Sequence, residues 1–150
     1  MAAAVRDRLD AHAHKTLATL RRDGSPRISG TETIWHDGDL LIGSMPDALK
    51  ARDLRRDPRF ALHSGSDDPP AWTGDAKVAG RAEEILDPDA KRAALMASGN
   101  FEQLPDPNGS HVFRLDLTEV SVVRLGEPAD HLVIEVWTPD RGLRQISRSG

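Results

Sequence analysis

The chain has 150 residues, enough for one domain that buries about two-thirds of the surface its unfolded form exposes. It contains no cysteine, which excludes disulfides, iron–sulfur clusters, cysteine nucleophiles and thiolate zinc sites, and which fits a reducing, cytoplasmic location. A net charge of -4 argues against nucleic acid as a partner, and no apolar run approaches the roughly 18 residues of a membrane span. We therefore expect a single domain over residues 1–150.

The first third of the chain predicts a helix followed by a three-stranded meander. Val5 and Leu9 stand four residues apart among charged neighbours, which predicts a helix over residues 2–14. Strands are predicted over residues 15–21, 27–35 and 40–42. Asp23-Gly24 and Asp37-Gly38 separate them, and such dipeptides accept the positive φ of tight turns.

The rest of the chain predicts two more helices among further strands. Pro46 and Asp47 mark the start of a helix that ends before Pro58, and Asp87-Pro88 opens a second helical segment. The strands predicted after the first of these helices cover residues 59–63, 76–86, 112–117, 120–125 and 131–137. Many short strands with few intervening helices favour a mainly β fold, an antiparallel sheet closed as a barrel, because closure removes exposed strand edges.

The segment between strand 40–42 and the helix after it has the most informative chemistry. Ser44 stands where the strand meets the predicted helix, and Lys50 follows about one turn inside. Free N–H groups and the positive end of the dipole attract anions to a helix start, and a lysine adds a full charge. The pattern is typical of a phosphate site, but it fits a capping serine and a lysine on a solvated face equally well.

Four short motifs follow one another along the chain: Gly24-Ser25-Pro26-Arg27, Ser44 with Lys50, Asp57-Pro58-Arg59, and Gly80-Arg81-Ala82-Glu83. In this order they resemble the flavin-binding split β-barrel superfamily, which includes the pyridoxamine 5'-phosphate oxidases and the flavin/deazaflavin oxidoreductases. The resemblance covers about residues 15–90, and no single motif is as specific as a P-loop. It implies a split antiparallel β-barrel with short helices, and a homodimer that holds its cofactor in grooves between two barrels.

The resemblance also implies cofactor contacts in two places. Ser44 and Lys50 would hold the cofactor phosphate, and the flavin ring would lie along the second strand. The implied contacts are Arg27, Ser29, Thr31, Thr33, Ser44 and Lys50. The strand hydroxyls would face the polar edge of the ring from alternate positions, while Ile28 and Ile34 would face the core. An ordinary solvent-facing strand would show the same Ser/Thr pattern.

Three departures from the oxidases argue against pyridoxamine phosphate as the substrate. Leu49 stands where they have an arginine before the phosphate lysine, and Asp75 stands near the place of a glutamine that faces the flavin. Their C-terminal Arg-x-His segment has no counterpart after His131. These changes favour the flavin/deazaflavin branch or a degenerate binder.

We therefore expect an oxidoreductase that binds FMN or the deazaflavin coenzyme F-420 and transfers hydride to a small unsaturated or heterocyclic substrate. The alternative is a non-catalytic flavin or haem binding or sensing module on the same barrel, and a third reading is a structural dimer whose cofactor site has decayed. No catalytic residue and no metal site is predicted. Trp35, Trp72 and Trp137 are expected to pack at the barrel ends, with Trp137 also able to reach a ring cofactor.

Overall fold

The computed structural model describes all of residues 1–150 as nine strands and three helices. The helices are α1 (Ala2–Asp10), α2 (Leu49–Arg56) and α3 (Pro88–Ala97). The strands are β1 (Lys15–Leu20), β2 (Pro26–Thr31), β3 (Thr33–His36), β4 (Asp39–Ser44), β5 (Arg59–His63), β6 (Gly74–Glu84), β7 (His111–Leu125), β8 (His131–Thr138) and β9 (Gly142–Ser149). The mainly β composition agrees with the sequence prediction. No helix is both long and apolar enough to cross a membrane.

One antiparallel sheet contains all the strands. Its main path runs β2-β1-β5-β6-β7-β4-β3, while β8 pairs with β7 and β9 pairs with β8. The strands β2 and β3 stand at opposite ends of this path, yet Glu32 alone separates them along the chain. The sheet must therefore curl until its two ends meet at Glu32. This is the split antiparallel barrel that the sequence predicted.

Apolar side chains form two cores, one on each side of the barrel wall. The larger core has 16 buried residues and fills the barrel, where Leu9 of α1 and Leu54 of α2 join side chains from the strands. The smaller core has five buried residues and lies under α3, with Ile34 and Leu41 against Leu95. Because apolar residues face both cores, consecutive residues of β4 are buried, as they are in a strand covered on both faces.

The turn between β3 and β4 shows how local sequence sets the strand register. Asp37 has φ 51 and Gly38 has φ 80, and His36 pairs with Asp39 across the turn. Two consecutive residues with positive φ match the twist of a two-residue hairpin, and Asp-Gly tolerates that geometry better than most dipeptides. The predicted turn is confirmed.

Several predicted element boundaries are wrong. The predicted strand 27–35 divides at Glu32 into β2 and β3, which pair with different partners. Ile28 does not face the core but is 73% exposed, whereas Ile34 is buried as expected. The two strands predicted between residues 112 and 125 form the single strand β7, and the C-terminal tail forms β9.

Candidate functional site

The loop between β4 and α2 explains why the helix begins later than predicted. Asp47 has a left-handed backbone with φ 56, and its N–H donates to Nε2 of His111 at 3.1 Å. These two features keep residues 45–48 out of the helix, so α2 begins at Leu49 with Ala48 as its N-cap and no capping side chain. The predicted start at Pro46 is therefore wrong.

Ser44 ends β4 and does not cap the helix. Its side chain is buried at 8% exposure, and its hydroxyl donates to the carbonyl of Met45 at 3.1 Å. The capping interpretation of Ser44 is therefore wrong. A buried hydroxyl at this place remains a candidate hydrogen-bond donor to an anion, because Ser44 is the last strand residue before the loop that leads into α2.

Lys50 lies in the first turn of α2 and reaches across to β2. Its Nζ donates to the carbonyl of Gly30 at 2.9 Å. Burial lowers the pKa of the Lys50 ammonium, and no carboxylate contributes to raise it. The Lys50 side chain therefore lies against β2 and does not simply extend into solvent. The lysine is a half-buried cation without a counter-ion. It lies against β2, the strand along which the flavin ring is expected to lie.

Ser29 and Thr31 flank the carbonyl that Lys50 contacts. Ser29 is half-buried, and its hydroxyl makes no hydrogen bond within the chain. Thr31 is 4% exposed, and its hydroxyl donates to the carbonyl of Glu32 at 3.2 Å. Alternation along β2 puts these two side chains on one face, as predicted, with Lys50 beside the backbone between them.

Thr33 lies beyond the strand division and borders a different space. A cavity of about 220 Å³ is lined by Thr33, Ser44, Met45 and residues of α3 and the loop after it. The Thr33 hydroxyl is buried and has no hydrogen-bond partner in the chain. Buried hydroxyls in folded proteins are normally paired, so an unpaired one beside a cavity is a candidate ligand contact. The structure thus places Thr33 and Ser44 on the lining of one cavity, which does not include Ser29 or Lys50.

Arg27 is the remaining residue of the six predicted cofactor contacts. It forms an ion pair with Asp53 inside the chain. Its Nε donates to Oδ2 of Asp53 at 2.7 Å, and Thr19 donates to the same oxygen at 2.8 Å. Arg56 donates to the other carboxylate oxygen at 2.9 Å. Burial favours the protonated form of Asp53, but these donors outweigh it and hold the pKa of the carboxyl below its ordinary value.

A hydrogen-bonded network that the sequence did not indicate fixes the loop before α2. Arg55 donates Nε to Oε2 of Glu84 at 2.7 Å, and its Nη2 lies 2.9 Å from Nδ1 of His111. The hydrogen bond from Arg55 lowers the pKa of Glu84. Because His111 also accepts from Asp47, the network ties β6, β7 and α2 to one loop. His111 is 64 residues from Asp47 and 56 residues from Arg55 along the chain. The network can therefore be recognised only in the folded structure.

The largest cavity lies at the end of the barrel that α1 covers. It has a volume of about 680 Å³ and is lined mainly by apolar groups, including Trp35, Leu117 and Trp137. Trp35 donates its indole N–H to Asp10 at 2.8 Å, and Arg6 lies 5.0 Å from the centre of its ring. Trp35 and Trp137 both pack against the larger core, as predicted for barrel-end residues.

The donors around Lys50 fit the phosphate and ring of a flavin. A half-buried ammonium without a counter-ion suits a phosphate, and the free hydroxyl of Ser29 suits a polar ring edge. Asp75, which stands near the place of the family's glutamine, accepts from Ser66 at 3.1 Å and faces His63 at 3.5 Å. No group of three His, Asp or Glu side chains is placed to hold a metal ion.

Solved structures with the same fold come from distant relatives. The conserved hypothetical protein Rv2991 of Mycobacterium tuberculosis is 22% identical, with 80% of this chain and 82% of that chain covered and a TM-score of 0.67. A pyridoxamine 5'-phosphate oxidase-related, FMN binding protein of Nostoc punctiforme is 16% identical over 99% of this chain and 94% of that one, with a TM-score of 0.69. PhzG of Burkholderia lata, solved with tetrahydrophenazine-1-carboxylic acid, is 13% identical over 99% and 88%, with a TM-score of 0.67. No curated protein matches at the sequence level.

The family match covers most of the barrel. The family model for pyridoxamine 5'-phosphate oxidase matches residues 1–124. This range contains the three helices and strands β1 to β7, except Leu125 at the end of β7. The hairpin of β8 and β9 lies outside the match. With the split barrel and the candidate flavin contacts at Lys50, this match shows that the chain belongs to the pyridoxamine 5'-phosphate oxidase-like, FMN-binding split-barrel family.

Proposed function

We propose that this protein is a flavin-dependent oxidoreductase that binds FMN, or the deazaflavin coenzyme F-420 in its place, and passes a hydride to a small unsaturated or heterocyclic substrate. The observation that carries the proposal is the Lys50 ammonium, which is half-buried, has no carboxylate partner and lies against Gly30 of β2. An unpaired cation is costly to bury, so a phosphate at this place would relieve a cost that the free chain bears.

Two relatives support the choice of cofactor and substrate class. The Nostoc punctiforme protein is described as FMN binding, and the Burkholderia lata protein was solved with a tetrahydrophenazine carboxylic acid, which is a heterocycle. Both are fold relatives at low identity, so they suggest ligand classes and no particular ligand. The leucine at position 49 and the lack of an Arg-x-His segment after His131 argue against pyridoxamine phosphate as the substrate.

The residues of the chain would bind, orient and shield the cofactor. Lys50 and the Ser44 hydroxyl would hold its phosphate, and Ser29 and Thr31 would hydrogen-bond the polar edge of the ring. The flavin itself supplies hydride transfer when bound. The sequence identifies no acid or base, so the proton that accompanies the hydride in reducing an unsaturated substrate would come from solvent water.

A second copy of this chain would complete the site. Ile28 is 73% exposed, Met45 is 78% exposed and Leu49 is 55% exposed, and all three stand within two chain positions of a proposed contact. Exposed apolar side chains around a cofactor site are typical of a surface that another chain covers. We therefore propose a homodimer with the cofactor between the two barrels, which light scattering with FMN present would test. A monomer at micromolar concentration would contradict it.

A titration of FMN into the protein tests the phosphate anchor. Lys50→Ala should weaken FMN binding about ten- to hundredfold, because it removes a charged hydrogen bond of about 1.5 to 3 kcal/mol. Lys77→Ala is the matched control, since Lys77 is exposed on β6 and should leave affinity unchanged. Flavin fluorescence measures both, and a parallel titration with F-420 shows which cofactor binds more tightly. Equal affinity in both variants would contradict the proposed role of Lys50.

A second experiment separates an enzyme from a binding module. The flavin-loaded protein is reduced without oxygen and mixed with nitroheterocycles and activated alkenes, and reoxidation is followed by the visible spectrum. The proposed oxidoreductase should reoxidise with at least one acceptor at about 1 per second or faster. Tight FMN binding without reoxidation by any acceptor would favour the non-catalytic binder, which the Lys50→Ala result alone could not exclude.

A further inference from the structure

The largest cavity, at the end of the barrel that α1 covers, has no role in the proposed flavin site. Its volume of about 680 Å³ lies within the range of small-molecule sites, and its lining contains none of the six proposed cofactor contacts. Ala2 and Ala3 belong to the lining and are exposed, so the cavity opens to solvent beside the first turn of α1. We call it the α1 cavity.

The walls of the α1 cavity are apolar and rich in aromatic surface. Trp35 and Trp137, two of the three tryptophans of the chain, both line it, although only 4% of all residues are aromatic. Val5, Leu117 and Val120 add aliphatic surface. Aromatic rings attract one another in offset and edge-to-face arrangements, beyond the effect of the area that they bury. The lining therefore favours a ligand that is itself aromatic.

Both indole rings are held in place before any ligand arrives. Trp35 donates its indole N–H to Oδ1 of Asp10 at 2.8 Å, and the Arg6 guanidinium lies 5.0 Å from the centre of its ring. Trp137 stands in the middle of three paired strands, opposite Val120 of β7 and Leu143 of β9. Side chains that are already ordered lose less entropy when a ligand binds, which favours affinity.

The charges at the cavity balance one another. Arg6 and Asp37 are its charged lining residues, one of each sign. Arg6 lies 3.6 Å from Asp10, and Asp37 lies 3.4 Å from His36. Both side chains are more than half exposed, at 59% and 86%, so water screens them. The lining has no surplus charge that would select an anion or a cation, and an uncharged ligand fits it best.

We propose that the α1 cavity binds an uncharged small molecule with a planar aromatic ring system. Such a molecule would fill apolar space that the side chains of the chain leave open, and would gain dispersion contacts with the two indole rings. The site is additional to the flavin site, and the proposal does not rest on the proposed function.

Calorimetry with quinoline tests the proposal, because quinoline is planar, bicyclic and uncharged at neutral pH. It should bind with a Kd of about 100 µM or lower, which is within reach of an efficient ligand of this size. Quinaldate adds a negative charge to the same rings and N-methylquinolinium adds a positive one. Both should bind more weakly than quinoline, since neither charge finds a free partner in the lining.

A tryptophan substitution tests the aromatic contact. Trp137→Leu keeps an apolar side chain and should weaken quinoline binding about three- to tenfold, the size expected of an aromatic pair. Trp72→Leu is the matched control, since Trp72 lies in the loop between β5 and β6 and does not line the cavity. Quinoline affinity should be unchanged in this control.

A second variant tests the cavity without altering the core. Ala3 is exposed on α1, so Ala3→Phe leaves the fold intact, but its ring takes up space at the opening and should weaken quinoline about tenfold or more. Ala93→Phe makes the same change at an exposed position of α3 and should have no effect. Thermal unfolding of all four variants shows whether each is folded at the temperature of the titrations.

Five outcomes would overturn the proposal. Absence of quinoline binding is the first, and equal weakening by Trp137→Leu and Trp72→Leu is the second. Equal affinity of Ala3→Phe and Ala93→Phe would place the ligand elsewhere. Tighter binding of either charged analogue would contradict the uncharged class of ligand. Displacement of bound FMN by quinoline would show that the α1 cavity is part of the flavin site.

Discussion

Two groups of positive charge lie beside α2, and their partners differ. Lys50 donates to a single backbone carbonyl, whereas Arg27 and Arg56 share the buried carboxylate of Asp53. A cation that shares a buried carboxylate is part of the fold, and its loss leaves the carboxylate unpaired. A cation that meets only a carbonyl keeps its charge available for a ligand. The identity of each partner, more than the number of charges, therefore distinguishes structural cations from binding cations.

The largest expected effect is on stability, at the carboxylate of Asp53 that Arg27 and Arg56 share. Asp53→Asn should lower the free energy of unfolding by about 2 to 4 kcal/mol, because Arg27 and Arg56 lose their shared anion in a mostly buried place. Asp140→Asn is the control, since Asp140 is exposed between β8 and β9 and should change stability by no more than about 0.5 kcal/mol. Urea unfolding at neutral pH measures both. Similar stability in the two variants would mean that the ion pairs of Asp53 contribute nothing.

The same substitution should change how stability depends on acid. The pKa of Asp53 is lower in the folded chain than in the unfolded one, so its contribution is complete above the unfolded value of about 3.9 and is lost as the pH falls through the folded value. The stability difference between wild type and Asp53→Asn should therefore narrow below about pH 4. A difference that stays constant down to pH 2 would contradict this assignment.

FMN binding through Lys50 should depend on alkaline pH, whereas the stability contributed by Asp53 depends on acid pH. Burial lowers the pKa of Lys50, so its charge is lost at a lower pH than that of an ordinary lysine. FMN affinity should fall about tenfold as this group deprotonates, whereas Lys50→Arg should retain affinity because guanidinium stays charged beyond about pH 12. Fluorescence titrations from pH 7 to 11 compare the two. Parallel curves would show that another group, or the flavin, causes the loss.

Leu49→Arg adds a charge between the two groups and should sharpen the comparison. Leu49 is 55% exposed, so an arginine fits without disturbing either core. It should tighten FMN binding about two- to fivefold, the size expected of a partly exposed charge. Leu49→Gln controls for the loss of the apolar side chain. Unchanged FMN affinity in Leu49→Arg would mean that the family position of this residue carries no meaning for the flavin here.

The smallest effect is expected at Ser44. A lost N-cap would cost about 1 kcal/mol, but Ser44 caps nothing, so Ser44→Ala should change stability by no more than about 0.5 kcal/mol. FMN affinity should fall about two- to threefold, since a neutral hydrogen bond contributes little net free energy. Thermal unfolding and FMN titration measure the two quantities. If Ser44→Ala instead lowers the free energy of unfolding by about 1 kcal/mol, the Ser44 hydroxyl stabilises the fold as a helix cap would.

Local chemistry made much of the fold predictable from the sequence. Asp37-Gly38 determines its own turn, because the positive φ of both residues is a property of those residue types. The start of α2 could not be predicted, because Pro46 and Asp47 are sound helix-start residues that a bond to His111, 64 positions away, holds in a loop. Tertiary contact overrides local preference in such a case.

The candidate site was predictable only in part, for the same reason. Lys50 and Ser44 were found from their spacing, but the sequence contains no sign that Arg27 is paired with Asp53, 26 positions away. Nor does alternation along one strand show that Thr33 leaves the face of Ser29 and Thr31, because the division at Glu32 depends on which strands pair. Residue types identify candidates, and pairing partners decide which of them remain free to bind.

The outer strand β9 limits how copies of this protein can associate. It pairs with β8 on one side only, which leaves a row of backbone N–H and C=O groups exposed along the other. Arg144 and Arg148 project from this strand, and like charges discourage a second strand from aligning beside it. Growth of the sheet from one molecule into the next, the route to fibrils, is therefore opposed at the edge where it would begin. An assembly that joins side-chain faces of the barrel does not meet this repulsion.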